Sequence, residues 1–122
     1  MTSDAFALII EDDMDLGTIF AEAIKAAGYE TETIADGGQA SLRLMEVIPS
    51  LVILDLHLPN VSGRQLLQQI RTDDRLATTN VIVTTADGRQ AEDLLEEADF
   101  CLIKPISFTQ LRDLATRLYP RA

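Results

Sequence analysis

Five short segments of the chain carry the apolar pattern of β-strands. Four of them are almost continuously apolar, which is typical of parallel strands covered on both faces: residues 5–10, 51–54, 81–84 and 100–103. The fifth, residues 29–35, alternates Tyr29, Thr31 and Thr33 with Glu30, Glu32 and Ile34. This alternation predicts a half-exposed strand at the edge of a sheet.

The segments between and after these strands carry apolar residues at helical spacing. The first stripe runs from Leu16 to Ala27 and is followed by Gly28, a residue type favoured just beyond a helix. A capping box at residues 107–110 predicts the start of the last helix. The remaining apolar stripes consist of Ala40, Leu44, Val47 and Ile48 before Pro49; of Leu66, Leu67 and Ile70 after Ser62; of Ala91, Leu94, Leu95 and Ala98; and of Leu111, Leu114, Ala115 and Leu118.

The strands and helices alternate as five βα units. Right-handed crossovers then give an α/β fold, a parallel sheet between two layers of helices. With 122 residues, the chain forms one domain, residues 1–122, because half of it would be too small to hold a core. In such a sheet, ligands bind beyond the carboxyl ends of the strands.

Charged and hydroxyl groups follow four of the five predicted strands. They are Glu11, Asp12 and Asp13 after the first strand, Asp55 after the third, Thr84 and Thr85 at the end of the fourth, and Lys104 after the fifth. Each group alone has an ordinary explanation as a turn, a cap or an exposed side chain. Their conjunction at one edge of the sheet favours a common site.

The chemistry of these groups points to phosphoryl transfer. Four clustered carboxylates repel one another unless a cation compensates, and oxygen ligands in a small hydrated site suit Mg²⁺. Carboxylates, a divalent metal, an ammonium and a hydroxyl together make a phosphoryl site. Asp55 stands alone at its strand end and is the predicted nucleophile, since aspartyl phosphates are established covalent intermediates.

Charge and composition exclude several classes of function. The formal net charge of −10 disfavours direct binding to nucleic acid and to anionic membranes. No apolar run reaches the length of a membrane span, and the N-terminus does not resemble a signal peptide. A single cysteine, Cys101, excludes an internal disulfide and predicts a reducing, cytoplasmic location.

Four segments together resemble the receiver domain of two-component response regulators, typified by the single-domain chemotaxis regulator. They are ALIIEDD at 7–13, LVILDLHLPNVSG at 51–63, VIVTTA at 81–86 and LIKP at 102–105. The most specific is the D-x-x-L-P-x-x-S-G pattern that begins at Asp55. The similarity covers essentially the whole chain and implies a flavodoxin-like sheet with the strand order 2-1-3-4-5.

The resemblance implies a role for each group at the strand ends. Asp55 corresponds to the phosphoacceptor, and Glu11 and Asp12 to the acidic pair that holds Mg²⁺ together with Asp55 and the backbone carbonyl of His57. Asp13 matches a more variable acidic position, and the His57 side chain is expected at the rim. Thr85 and Lys104 correspond to the hydroxyl and the ammonium that contact the phosphoryl group. The Lys104–Pro105 bond is expected to be cis.

The resemblance also implies partners. A histidine kinase or a phosphotransfer protein would supply the phosphoryl group, and a downstream protein or a fused output domain would receive the signal. The protein would be a signalling switch rather than a metabolic enzyme, although it would catalyse its own phosphoryl transfer and dephosphorylation. In departure from the family, Cys101 stands where many receivers carry an aromatic residue, and the stretch from Thr85 to Lys104 is about one helical turn short.

Two alternatives remain open at this point. One is a receiver-like interaction module that is never phosphorylated, which Cys101 and the short segment before it allow. The other is a phosphohydrolase that uses an aspartyl phosphate. Such haloacid-dehalogenase-like enzymes need a second Asp two residues after the nucleophile, where this chain has His57.

Overall fold

A computed structural model describes residues 5–89, 93–94 and 96–120. Its five strands are β1 (Phe6–Ile10), β2 (Glu30–Ile34), β3 (Leu51–Asp55), β4 (Asn80–Thr85) and β5 (Phe100–Ile103). They form one parallel sheet in the order β2-β1-β3-β4-β5. The predicted strand order is confirmed, and β2 lies at an edge as its alternating pattern indicated.

The described residues contain four α-helices. They are α1 (Met14–Ala26), α2 (Gly37–Glu46), α3 (Gly63–Thr72) and α4 (Phe108–Arg117), with a short 3-10 helix at Asp74–Leu76. None of the helices in this part of the chain is both long enough and apolar enough to cross a membrane. The predicted helix between β4 and β5 falls partly outside the described residues, since Ala91 and Leu95 are not among them. Leu94 and Ala98 from that prediction are buried.

Alternate side chains of each central strand enter two separate hydrophobic cores. On β1, Leu8 and Ile10 pack on the face covered by α2 and α3, whereas Ala7 and Ile9 pack on the face covered by α1 and α4. The period of two along a strand produces this division. It also fixes which face of the sheet each residue within a strand occupies.

Local signals start and stop the helices where the sequence indicated, with one exception. Ser62 and Gln65 form a complete capping box on α3, and Gly28 adopts a positive φ of 106° beyond α1, as a glycine in this position can. The stripe on α2, however, ends too early for Ile48, which is 60% exposed. Ile48 precedes Pro49 and is disfavoured from helical angles by the proline ring. The helix ends one residue earlier still, since Val47 is already extended with φ −129° and ψ 160°.

Tyr29 and Tyr119 connect the C-terminal helix α4 to the edge of the sheet. Buried Tyr29, just before β2, donates its hydroxyl to the Ala115 carbonyl oxygen at 2.9 Å. Its ring meets the ring of Tyr119 edge-on, with the ring centres 5.1 Å apart. Burial, with the neighbouring Tyr119 as a smaller cause, raises the pKa of Tyr29 to about 12.

Candidate functional site

Three of the four predicted acidic side chains meet at the carboxyl end of the sheet. Glu11, Asp12 and Asp55 each offer a carboxylate oxygen, and these oxygens lie within 4.8 Å of one another. Asp55 ends β3, and Glu11 follows the neighbouring strand β1, with exposures of 3% and 2%. Asp12 is exposed. Three oxygen donors at this spacing, two buried and one open to solvent, fit a hard divalent cation that keeps part of its hydration shell.

Asp13 does not join this group, so the prediction that four carboxylates converge is wrong for Asp13. Its side chain is the N-cap of α1 and accepts a hydrogen bond from the Leu16 backbone N–H at 3.1 Å. Its own backbone N–H donates to Glu11 Oε2 at 3.2 Å. The helix begins directly after Asp13, and capping its free N–H groups takes the carboxylate away from the cluster.

Lys104 follows the edge strand β5, and its ammonium group contacts two carboxylates of the cluster. Its Nζ donates to Glu11 Oε1 at 2.9 Å and lies 3.5 Å from Asp55 Oδ2. Burial alone would lower the pKa of Lys104, but the hydrogen bond to Glu11 and the charge of Asp55 outweigh it and raise that pKa. The ammonium group is therefore charged throughout the neutral range.

Glu11 is a carboxylate of this group that is both buried and close to other charged side chains. Burial raises the pKa of Glu11 to about 7, and the nearby Asp55 adds to this shift while the hydrogen bond from Lys104 opposes it. Crowding of this kind is expected where carboxylates are gathered for a cation.

The loop after β3 holds the Asp55 carboxylate in place. The His57 backbone N–H donates to Asp55 Oδ1 at 3.1 Å, while the His57 side chain is exposed at the rim, as expected. Gly63 at the start of α3 packs directly on this backbone, because a Cβ there would lie 2.3 Å from the Asp55 carbonyl oxygen. The glycine of the motif therefore lets α3 approach Asp55 closely.

Thr85 lies at the end of β4 and is fully buried. Its hydroxyl accepts a hydrogen bond from the Asp87 backbone N–H at 3.0 Å and donates to the Asp87 carbonyl oxygen at 3.3 Å. The structure thus places Thr85 at the predicted edge of the sheet, with its hydroxyl engaged by the loop that follows.

The departure from the family pattern on β5, Cys101, has a simple packing outcome. Cys101 packs against the core on the α2–α3 face, and burial raises the pKa of its thiol. The neighbouring Phe100 is partly exposed. Because adjacent strand residues point to opposite faces, the Phe100 ring cannot take the place of the Cys101 side chain. The Lys104–Pro105 peptide bond is cis, in agreement with the expectation.

One buried polar residue at this edge was assigned no role from the sequence. Thr84 is fully buried and pairs in register with Asp55 on β3. Its hydroxyl has no hydrogen-bond partner among the described residues. Only the pairing register, which the sequence does not contain, reveals that Thr84 adjoins Asp55.

Comparison with known proteins yields one consistent family. The family model described as "Response regulator receiver domain" matches residues 7–116. The phosphate regulon transcriptional regulatory protein PhoB of Rhizobium meliloti is 33% identical over 117 residues, which are 93% of this chain and 52% of that protein. The chain therefore spans about half the length of the curated relatives it matches.

Solved structures of the same kind superpose closely on the fold. The CheY-like receiver domain of a response regulator from Methylobacillus flagellatus is 26% identical with a TM-score of 0.84, covering 95% of this chain and 99% of that one. The response regulator TrrA of Thermotoga maritima, solved in complex with Mg²⁺ and BeF, is 26% identical with a TM-score of 0.82, covering 93% and 98%.

Proposed function

Because the chain belongs to the response regulator receiver domain family, we propose that Asp55 accepts a phosphoryl group from a histidine kinase or a phosphotransfer protein. The observation that carries this proposal is the meeting of Glu11, Asp12 and Asp55 beside the ammonium of Lys104. A buried carboxylate with a cation site and a fixed positive charge suits the receipt of an anionic phosphoryl group.

The same residues define which groups would hold Mg²⁺. Glu11, Asp12 and Asp55 supply three carboxylate oxygens within reach of one another, and the carbonyl of His57 is the proposed fourth protein ligand. When bound, Mg²⁺ would neutralise charge on the transferring group and fix its orientation. The Mg²⁺ bound to the related receiver TrrA supports this assignment.

The chain's own residues account for the transfer step. A carboxylate oxygen of Asp55 attacks phosphorus, a P–O bond forms, and the P–N bond to the kinase histidine breaks with its electron pair going to the leaving imidazole. Lys104, which is already 3.5 Å from Asp55, stabilises the negative charge on the equatorial oxygens. Thr85 would donate its hydroxyl to one of these oxygens after leaving Asp87.

The biological role follows from the family and from the length of the chain. As a receiver, the protein would work as a signalling switch in the cytoplasm whose surface changes when Asp55 is phosphorylated. Its relatives are about twice as long, so the signal would pass to a downstream protein or to a fused output domain. That this domain itself does not contact nucleic acid remains a prediction from its net charge of −10.

Two alternative functions can be compared with the same arrangement of residues. A receiver-like module that works without phosphorylation would have no use for the contact of Lys104 with both carboxylates. A phosphohydrolase of the haloacid-dehalogenase type would need a second Asp two residues after Asp55, and this position is occupied by His57 with an exposed side chain. Both alternatives therefore fit the arrangement less well than a phosphoacceptor does.

Acetyl phosphate with Mg²⁺ provides the direct experiment. Intact-mass measurement should show the addition of one phosphoryl group, and reductive trapping should map it to Asp55. Asp55→Asn should gain none, whereas Asp15→Asn, at an exposed acid in the first turn of α1, should behave like the parent. Absence of labelling in the parent, or labelling at Asp12 or Asp13, would refute the proposal.

A further inference from the structure

The hydroxyl of Thr84 is a buried polar group without a partner in the part of the chain that the structure describes. The residue is 0% exposed, and valine has nearly the same shape without the hydroxyl. A buried donor left without a hydrogen bond costs stability. Its presence in the central sheet therefore calls for a reason other than packing.

The pairing register places this hydroxyl beside the proposed phosphoacceptor. Thr84 on β4 is directly opposite Asp55 on β3 and Leu102 on β5. Paired residues on adjacent strands project to the same face of the sheet. Asp55 and Thr84 thus lie side by side at the carboxyl end, on the face that packs against α1 and α4.

The core on that face confirms which strand-end residues share it. Its members include Ile9, Ile53 and Ile82, with Leu102 packed against them. Moving two residues further along each strand keeps the same face and leads to the four residues at the strand ends. These are Glu11, Asp55, Thr84 and Lys104.

Lys104 must cross β4 to reach its partners. It follows β5, whereas Asp55 ends β3 and Glu11 follows β1, and β4 lies between β5 and β3. The ammonium group nevertheless lies 2.9 Å from Glu11 and 3.5 Å from Asp55. Its side chain therefore passes over the end of β4, where Thr84 occupies this face.

We propose that Thr84 is a positioning residue for phosphoryl transfer, whose hydroxyl provides a hydrogen-bond donor to the Asp55 carboxylate under the side chain of Lys104. This inference rests on the proposed function of Asp55. The bond forms when Lys104 shifts from Asp55 toward the incoming phosphoryl group, because the carboxylate oxygen near the ammonium then needs another donor. The hydroxyl keeps that oxygen oriented and stabilised in a region closed to water.

Three variants separate this role from a structural one. Thr84→Val removes the hydroxyl and keeps the shape, Thr84→Ser keeps the hydroxyl and loses a methyl group, and Thr79→Val is a matched control. Thr79 is equally buried, but its hydroxyl already donates to the Pro49 carbonyl oxygen at 2.7 Å. For each variant, the measurements are the melting temperature and the rate of phosphorylation by acetyl phosphate with Mg²⁺.

Melting temperature and phosphorylation rate should change independently of each other across the series. Thr84→Val should melt at or above the parent temperature and be phosphorylated about five- to tenfold more slowly, the effect of one lost hydrogen bond. Thr84→Ser should melt lower yet keep a rate within about twofold of the parent. Thr79→Val should melt lower with an unchanged rate. Rates that follow the melting temperatures across the series would instead mean a purely structural role.

The outcomes for the two proposals are distinct. A parent that is phosphorylated at Asp55, with Thr84→Val equally fast, would overturn the role of Thr84 and leave the proposed function intact. A parent that takes up no phosphoryl group would overturn the proposed function and, with it, the role of Thr84.

Discussion

The ammonium group of Lys104 donates a hydrogen bond to Glu11 at 2.9 Å, although the two residues follow strands β5 and β1 that are separated by two others. The same group lies farther, at 3.5 Å, from Asp55. Lys104 is therefore hydrogen-bonded to a metal-site residue, and we expect its ammonium group to move toward the phosphoryl oxygens when their negative charge arrives. One lysine thus contacts both a metal-site carboxylate and the proposed phosphoacceptor, and its replacement should affect metal binding and phosphoryl transfer differently.

Lys104→Met should uncouple metal binding from phosphoryl transfer. Removal of the ammonium takes away a positive charge that competes with a cation, so Mg²⁺ affinity should stay equal or rise. The transfer rate should fall by about a hundredfold, since one stabilising donor at the reacting group is lost. Fluorescence or calorimetric Mg²⁺ titration and acetyl phosphate labelling measure the two effects.

Lys25→Met is the matched control, because Lys25 is the other lysine of the chain. It is exposed, and its ion pair within the described part of the chain is a long 3.7 Å contact with Glu22, so both measurements should match the parent. Equal labelling rates for Lys104→Met and the parent would show that the ammonium does not stabilise the transfer.

Asp12 and Asp13 should respond oppositely to replacement by alanine. Asp12→Ala removes a cation ligand and should weaken Mg²⁺ binding roughly tenfold or more, with little effect on stability. Asp13→Ala removes the N-cap of α1 and should cost about 1 kcal/mol of unfolding free energy, with Mg²⁺ affinity nearly unchanged. Mg²⁺ titration and urea unfolding give both numbers. Loss of Mg²⁺ binding in Asp13→Ala alone would mean that the ligands are misassigned.

His57 and Asp87 should control the lifetime of the phosphorylated form. The pKa of Asp87 is lowered chiefly by the Arg89 backbone N–H and to a small extent by the charge of His57, which lies on the facing loop. We expect these two side chains to flank the approach of water to Asp55. The double variant His57→Gln/Asp87→Asn should alter the rate of dephosphorylation while unfolding free energy changes by about 0.5 kcal/mol or less.

Decay of trapped phosphoprotein, followed by mass, measures that lifetime. Asp74→Asn, at an exposed acid in the 3-10 helix, serves as a control and should decay at the parent rate. If the double variant also decays at that rate, these two side chains do not govern access of water.

Tyr29 should make the fold sensitive to alkali. Its pKa is raised from 10.0 to about 12, first by burial and then by Tyr119. Between these values the unfolded chain loses the phenolic proton and the folded chain keeps it, so unfolding becomes easier as pH rises. The loss should reach about 3 kcal/mol by the upper end of the window, and none should occur below the unfolded pKa.

Urea unfolding of the parent and of Tyr29→Phe at a series of pH values measures this loss. At neutral pH the variant should be less stable by about 1 kcal/mol, since the hydrogen bond to Ala115 is lost. Above pH 10 the gap between the two proteins should close and then reverse, because only the parent loses stability through ionisation of this phenol. Parallel curves would exclude Tyr29 as the responsible group.

The sequence by itself determined the elements and the identity of the reactive groups. Apolar runs in β1, β3 and β4 and the capping residues Ser62 and Ser107 act through neighbours a few positions away, and such local signals can be read directly. The strand ends then narrowed the reactive groups to a set that also included Asp13 and Thr84, because parallel strands bring their carboxyl ends to one edge. The set was Glu11, Asp12, Asp13, Asp55, Thr84, Thr85 and Lys104.

The tertiary structure decided which of these groups meet and which are used elsewhere. Asp12 and Asp13 are adjacent acids in the sequence, yet one joins the cluster and the other caps α1, since the chain turns between them. The position of Thr84 beside Asp55, and the path of Lys104 across β4, depend on strand order and register. Those are set by the packing of side chains far apart in the chain, and a one-residue change in register would turn Thr84 to the opposite face.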